Sequence, residues 1–376
     1  MRELNSNDAL RGVLGGGVLA CGGGGWKHHG QLMGSLATSI SSPLLAQVEE
    51  VPEDSWVATV TAIGAPAAAD WEIRPVDYID ALQALIAEAG VPIAAVMTAQ
   101  NGYSTTHNGW IQSAVLGIPV LDAAGDVRAH PTGKLGALGL GQRPGYVSIQ
   151  AVSGGNRAKH GHFKSVLRGN LNTVDDVLRD ISVRTGGFIA SARNPVELSW
   201  VKEHAALGSI SLALDLGKVM QAWNAGQTGA GKAVARVVAD FLGGEILDAG
   251  PLSHAEPLHT TGGWDHGVFR IGKHTVPYLN EYMAVNKGHT RVASYPDTIV
   301  VLEADTGEAK AVKDAHPGDE VILIAAPAGN RLPVSSSAID RVGLVEVEQI
   351  LDIKLVKYLD PSLIGGTSRY YSKVGA

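Results

Sequence analysis

Along the chain, apolar residues recur at two spacings, helical and alternating. Leu10, Val13 and Leu14 fall at helical spacing after Asn7 or Asp8, which predicts a capped helix that the glycines at 15–17 end. Beyond four more glycines at 22–25, "HGQLMGSLATSISSPLLAQVEEV" predicts a second helix up to Pro43. "SWVATVTAIGAP" predicts a buried strand closed by Gly64 and Pro66. "VDYIDALQALIAEAG" sets Ile79, Leu82, Leu85 and Ile86 on one face and ends at Gly90, an amphipathic helix. "VPIAAVMTAQ", "TTHNGWIQSAVLG" and "IPVLDAAG" then predict strand, helix and strand.

Strands alternating with helices predict a parallel sheet whose functional loops lie at the carboxyl ends of its strands. That singles out Gly64–Pro66, Gln100–Gly102 and Asp122–Gly125. Around "VSGGNRAKHGHFKSVLRGN" the apolar period lapses and basic residues gather. The expected architecture is α/β: an N-terminal domain, 1–165, with a glycine-rich loop and a largely parallel sheet, then a mixed α+β domain, 166–376. The second domain begins with helices and becomes strand-rich after about 244. A chain of 376 residues fits two domains.

Composition narrows the function classes. The chain is 45% hydrophobic and 18% charged with 47 glycines, as expected of a water-soluble protein rich in tight turns. A net charge of −7 without a basic, aromatic-interleaved block argues against a nucleic-acid partner. No run approaches the roughly 20 apolar residues of a membrane helix. A single cysteine, Cys21, excludes an internal disulfide and a cysteine zinc cluster, which suits a cytoplasmic location. "VLAC" at 18–21 loosely matches a lipoprotein cleavage box. The glycines of "GVLGGGVLA" and the acidic Glu3 and Asp8 argue against that leader. A homo-oligomer is the prior expectation.

"LACGGGGWKHHGQLMG" opens a helix and could seat an anion on its backbone N–H groups. It is not G-x-G-x-x-G and follows a helix, so a dinucleotide fold is not expected. "GQTGAGKA" at 226–233 has Ala233 where a phosphate loop needs Ser or Thr, so it is expected to be a helix-to-helix turn with Lys232 in solvent. His28 with His29, the set His254, Glu256 and His259, and Asp265 with His266 lack a spacing of defined ligand geometry. The cofactor is left unknown, with a divalent metal as the alternative. No G-x-S-x-G elbow occurs, which leaves strand-end carboxylates and amides as candidates: Gln100, Asp122, Asn280, Glu281 and Asp297.

Taken in order, these segments resemble one family, the S-methyl-thiohydantoin desulfurases. They are "LACGGGG", the strand ending Gly64–Pro66, "VLGIPVLD" ending at Asp122, and Arg128–Pro131. In the second half "GSISLALDLGK", "GVFRIG", "YLNEYMAV", "YPDTIVVLEADTGEA" and "GDEVILIAAPA" continue the likeness. Gln100, Ala124 and Thr132 stand where the family is expected to carry carboxylates, and Tyr282 replaces an Asn after Asn280-Glu281.

The resemblance implies hydrolytic removal of sulfur from a small five-membered thiohydantoin-like ring, giving the hydantoin. Glu281 is the expected base, Asn280 orients the ring or the water, and His130 takes an acid role. Gly22, Gly23, Gly24 and Gly25 would hold an anionic part of the substrate, with Gln100 also binding it. Arg128 would fix a substrate carboxylate, itself held by Asp122. Family members often accompany hydantoinases and oxoprolinases. The competing expectations are therefore a non-catalytic partner of such an enzyme and a metal-dependent hydrolase of another cyclic amide.

Overall fold

The computed structural model describes residues 1–64, 68–261, 264–328 and 341–355. Its first sheet has nine strands: β1 (Arg2–Glu3), β2 (Leu44–Ala46), β3 (Trp56–Gly64), β4 (Ile93–Gln100), β5 (Val120–Asp126), β6 (Ser148–Gly154), β7 (Phe163–Gly169), β8 (Phe188–Glu197) and β9 (Ala206–Leu207). The order is β1-β2-β5-β4-β3-β8-β6-β7, with β9 beside β5. The strands predicted from the βαβ pattern, β3, β4 and β5, pair in parallel with β2 at their side, and the remaining strands extend the sheet antiparallel. The result is an α/β half with a mixed sheet.

Eight strands form the second, wholly antiparallel sheet: β10 (Glu245–Thr261), β11 (Trp264–Ile271), β12 (His274–Leu279), β13 (Glu281–Tyr282), β14 (Ala284–Lys287), β15 (Thr290–Ser294), β16 (Thr298–Glu303) and β17 (Glu320–Ala326). The helices are α1 (Ser6–Leu19), α2 (Lys27–Ile40), α3 (Pro75–Ala89), α4 (Trp110–Leu116), α5 (Leu171–Arg184), α6 (Leu198–His204), α7 (Ser209–Ala222), α8 (Gly231–Leu242) and α9 (Arg341–Leu351). No helix among the described residues is long and apolar enough to cross a membrane.

The division expected at 165 falls inside β7, and the first sheet takes β8 from beyond it, between β3 and β6. "FIASARNPVE" does not alternate because both faces of β8 are covered, and its one charged interior residue, Arg193, is paired with Asp175 at 3.1 Å. Helix α7 likewise packs back on α1. One apolar cluster joins Leu14, Val18 and Leu19 of α1, Leu216 and Met220 of α7 and Val234 and Val238 of α8 to Leu279, Val300 and Ile324 of the second sheet. The two halves therefore share a core.

Helix α1 departs from the expectation at both ends. Its cap is Asn5, whose side chain accepts from the N–H groups of Asn7 and Asp8 while Asp8 accepts from Asn5 N–H. At the other end it runs through the glycines to Leu19. A Cβ on Gly15 would stand 1.9 Å from the Ala213 carbonyl of α7, and one on Gly17 would stand 2.3 Å from the Tyr103 ring. These glycines cost helix propensity, but they let two helices cross backbone to backbone. Residues 226–230 of "GQTGAGKA" form the turn between α7 and α8 and the last three open α8, with Lys232 exposed as expected.

Gly15→Ala is expected to destabilise the fold by about 2 to 3 kcal/mol through forced separation of α1 from α7. A denaturant midpoint equal to that of the unaltered protein would contradict this account of the glycines.

Candidate active site

Both halves contribute to one polar cleft. It is lined by Gly24 and Gly25, residues 61–64 of β3, Gln100 at the end of β4, residues 130–133, Asp175 and Arg179 of α5, Phe188 and Arg193 of β8, and Asn280 and Glu281. Its enclosed space is about 50 Å3, room for about four waters or one small ring.

The glycine run forms the turn from α1 to α2. Cys21, Gly22, Gly24 and Gly25 have φ of 47°, 92°, 69° and 84°, left-handed values that suit glycine. Contact, as well as conformation, requires the missing side chains. A Cβ on Gly23 would stand 2.0 Å from Glu281 Oε1, and one on Gly25 would stand 1.9 Å from Ser104 Oγ. The turn's carbonyls are taken too: Cys21 O accepts from Tyr282 N at 2.7 Å, Gly22 O from Val312 N at 2.8 Å and Gly24 O from Ser104 N at 3.0 Å. Only Gly24 and Gly25 of the four reach the cleft; Gly22 and Gly23 pack against Tyr282 and Glu281.

Glu281 is 2% exposed, and its Oε2 has no hydrogen-bond partner. Burial pushes its pKa up to about 8, against the opposing pull of Arg128, Arg179 and the Gly24 N–H. At neutral pH the carboxyl therefore keeps its proton in most molecules. Asn280, before it, sits at φ 56°, held by bonds from its N–H to the Asp265 carbonyl at 2.6 Å and from Asp265 N–H to its Oδ1 at 2.8 Å. A left-handed asparagine beside a buried acid is a strained feature of the kind found at functional sites.

Gln100 and His130 meet across the cleft wall, where Gln100 Oε1 accepts from the His130 backbone N–H at 3.0 Å. Arg193 and Asp175 form a buried pair, and half-buried Arg179 lies over the Trp264 ring at 3.9 Å and donates to the Pro131 carbonyl at 3.1 Å. Phe188 packs edge-on against Trp26, which stacks on Trp71 at 3.8 Å, and so gives the cleft an aromatic backing.

Three expected residues lie elsewhere. Asp122 accepts from Ile210 and Ser211 N–H at 2.9 Å each, from Ser211 Oγ at 2.5 Å and from Gln47 Nε2 at 3.0 Å, so it caps α7. It therefore does not serve to hold Arg128. The Arg128 guanidinium donates to the carbonyls of Ala129, Asp297 and Tyr282 at 2.9, 2.7 and 2.9 Å and lines no part of the cleft. It ties the halves together instead. Asp297 also lies outside the cleft, its carboxylate accepting from Ser294 and Ala328 N–H at 3.2 Å each. Pro66 is outside the described residues.

Arg179, Arg193 and Asp175 were not singled out in the sequence. Arg193 was the one available signal, a lone charge in the mostly apolar "IASARN", whereas Asp175 and Arg179 sit among other charges in "VDDVLRD" and carry none. The histidine sets do not converge. His28 is exposed, while His29 is buried against Tyr78 Oη at 3.1 Å, its pKa lowered to about 4 by burial. His259 and His266 face each other across β10 and β11. Asp77, Asp80 and His162 do stand within 4.8 Å of one another, but Asp77 is engaged by Arg157 at 2.6 Å.

Comparison with known proteins locates the chain. The family model described as S-Me-THD-like, N-terminal domain, matches residues 11–157, and that described as S-Me-THD-like, C-terminal domain, matches residues 169–346. No curated protein matches. A crystal structure of a protein from Chromobacterium violaceum is similar at 20% identity with a TM-score of 0.70, covering 98% of this chain and 99% of that one. The two share a fold.

A buried acid whose folded pKa lies above its unfolded value costs stability as pH rises. The unfolded chain releases the proton near pH 4.5 while the folded one holds it to about 8. Glu281→Gln removes that cost. Its melting temperature should equal that of the unaltered protein at pH 4, below the unfolded pKa, and exceed it by a few degrees at pH 9. Equal values at both pH values would show that Glu281 ionises without penalty. Asp122→Ala should cost about 2 kcal/mol by uncapping α7. It should leave ligand affinity at the cleft unchanged, as titration calorimetry would read.

Proposed function

Because the chain belongs to the S-Me-THD-like family, we propose that it is a hydrolase that removes sulfur from a small five-membered thiohydantoin-like ring. The observation that carries this reading is the Glu281 carboxyl. It is buried and raised in pKa, has one oxygen without a partner, and opens on the same cleft as Asn280, Gln100 and His130. Such an unpaired acid in a polar cleft costs stability and is a mark of acid–base chemistry.

The reaction adds water to the ring carbon between the two nitrogens. On an S-alkylated ring the water oxygen bonds to that carbon as Glu281 takes one water proton and the C=N electron pair moves onto the ring nitrogen. That nitrogen takes the second water proton as the carbonyl forms and the C–S bond breaks. His130 protonates the departing thiolate, and the proton held by Glu281 then restores His130. The products are hydantoin and a thiol. Asn280 orients the ring through its amide, and Gln100 holds the His130 backbone in reach.

The anchoring role expected of Arg128 passes in this proposal to Arg193 and Arg179. Both guanidinium groups line the cleft, where they can donate paired hydrogen bonds to a ligand carboxylate. Gln100 and Thr132, two of the three positions without the expected carboxylate, line this cleft and leave that positive charge in place. A cleft built from both halves, with the glycine turn buried beneath it, supports catalysis over the role of a non-catalytic partner.

The test is turnover of thiohydantoins, S-methyl-thiohydantoins, hydantoins and cyclic imides, each with and without a carboxylate substituent, following released thiol and ring absorbance. Thiol release is expected, with a lower KM for carboxylate-bearing rings. kcat/KM should rise with pH toward about 8 as Glu281 ionises. Glu281→Gln should lower kcat by about 1000-fold. No turnover across the panel would overturn the reaction, and undiminished Glu281→Gln activity would overturn the base.

A further inference from the structure

Strand β5 ends at Asp126, which is 0% exposed. Its Oδ2 accepts from Tyr295 Oη at 2.6 Å and its Oδ1 from the Arg128 backbone N–H at 3.3 Å, while the Tyr295 ring lies under the Arg128 guanidinium, 5.1 Å away. The carboxylate is thus fixed from two sides. Four residues on, His130 sets Nδ1 3.6 Å from Asp126 Oδ2, and both side chains are nearly closed to solvent.

The His130 ring is placed as firmly as the acid. Gln100 holds its backbone N–H, and a Cβ on Gly136 would stand 2.4 Å from its Cε1 and Nε2, so the ring edge uses the space that glycine leaves. Nδ1 is buried and has no hydrogen-bond partner, while the residue lines the cleft. An unpaired ring nitrogen beside a carboxylate is costly as a resting arrangement. A closure of roughly half an ångström makes it a charge-assisted hydrogen bond, and such bonds commonly tighten only when a ligand fills the site.

We propose that Asp126, locked by Tyr295, is a positioning residue that keeps a proton on His130 Nδ1, so that Nε2 is the one ring nitrogen exchanging protons with the cleft. The kinetic part of this inference rests on reading the cleft as an active site; the geometric part does not. In the reaction, the Nε2 proton of the imidazolium goes to the departing thiolate and leaves the neutral ring with its Nδ1 proton. Asp126 accepts from Nδ1–H throughout and stabilises the charged ring. The other charged groups lining the cleft with this ring are Glu281 from β13, Asp175 and Arg179 from α5 and Arg193 from β8, while Arg128, two residues before His130, bears on the Asp126 side through Tyr295.

The test is nitrogen NMR of protein labelled at histidine, at alkaline pH, with the His130 signals assigned by their loss in His130→Phe. The unaltered protein should carry its proton on Nδ1. Asp126→Asn should move it to Nε2 in most molecules, and Tyr295→Phe should give a mixture. A proton on Nε2 in the unaltered protein, or one tautomer throughout, overturns the proposal; should Asp126→Asn not fold, an unchanged tautomer in Tyr295→Phe does the same. On any ring that is turned over, Asp126→Asn should lower kcat about 100-fold with KM within about threefold, and an unchanged kcat overturns the role. If no ring is turned over, the desulfurase reading fails, and the tautomer still decides between Asp126 as positioner and as bystander.

Discussion

Everything at the cleft depends on how closely the turn from α1 to α2 approaches strand β13. The Cys21 carbonyl accepts from the Tyr282 N–H, and Glu281 lies where a side chain on residue 23 would be. That approach fixes the depth at which the acid is buried, and depth sets its pKa. A single Cβ at Gly23 would displace the carboxyl before altering any other property of the site.

The close approach is held by a cation that takes no part in lining the cleft. Arg128 is buried with its guanidinium donating to carbonyls on both sides of the junction. It binds the halves, braces Tyr295 and lowers the cost of ionising Glu281 and Asp297 nearby. Asp297 is raised to about 7 by burial and Glu281 to about 8, so this junction is most stable when both acids hold their protons. Stability at this junction therefore falls as pH rises through this range.

Helix α3 was legible because its apolar residues repeat at the helical period on one face, and strands β3 to β5 because they are short, nearly continuous apolar runs closed by turn residues. The glycines of α1 misled for a physical reason: propensity treats glycine as a helix breaker, whereas here the missing Cβ is what α7 and Tyr103 require. β8 was missed because its charged interior residue is neutralised by Asp175, eighteen residues away. Asp122 drew attention as a polar residue at a predicted strand end and Arg128 through the family resemblance, and only their partners reveal a cap and a tie.

The sequence by itself determined the alternation of elements, the strand-rich second half and the family, since these follow from local periodicity and from short motifs kept in order. It also offered Asn280-Glu281, Gln100, His130 and the glycine turn as candidates. Tertiary structure alone decided which polar groups share one cleft and what charge they carry there. Burial, ion pairing and the pKa of an acid depend on neighbours far away in the chain, and no local pattern encodes the distance between Asp126 and Tyr295 or between Glu281 and Gly23.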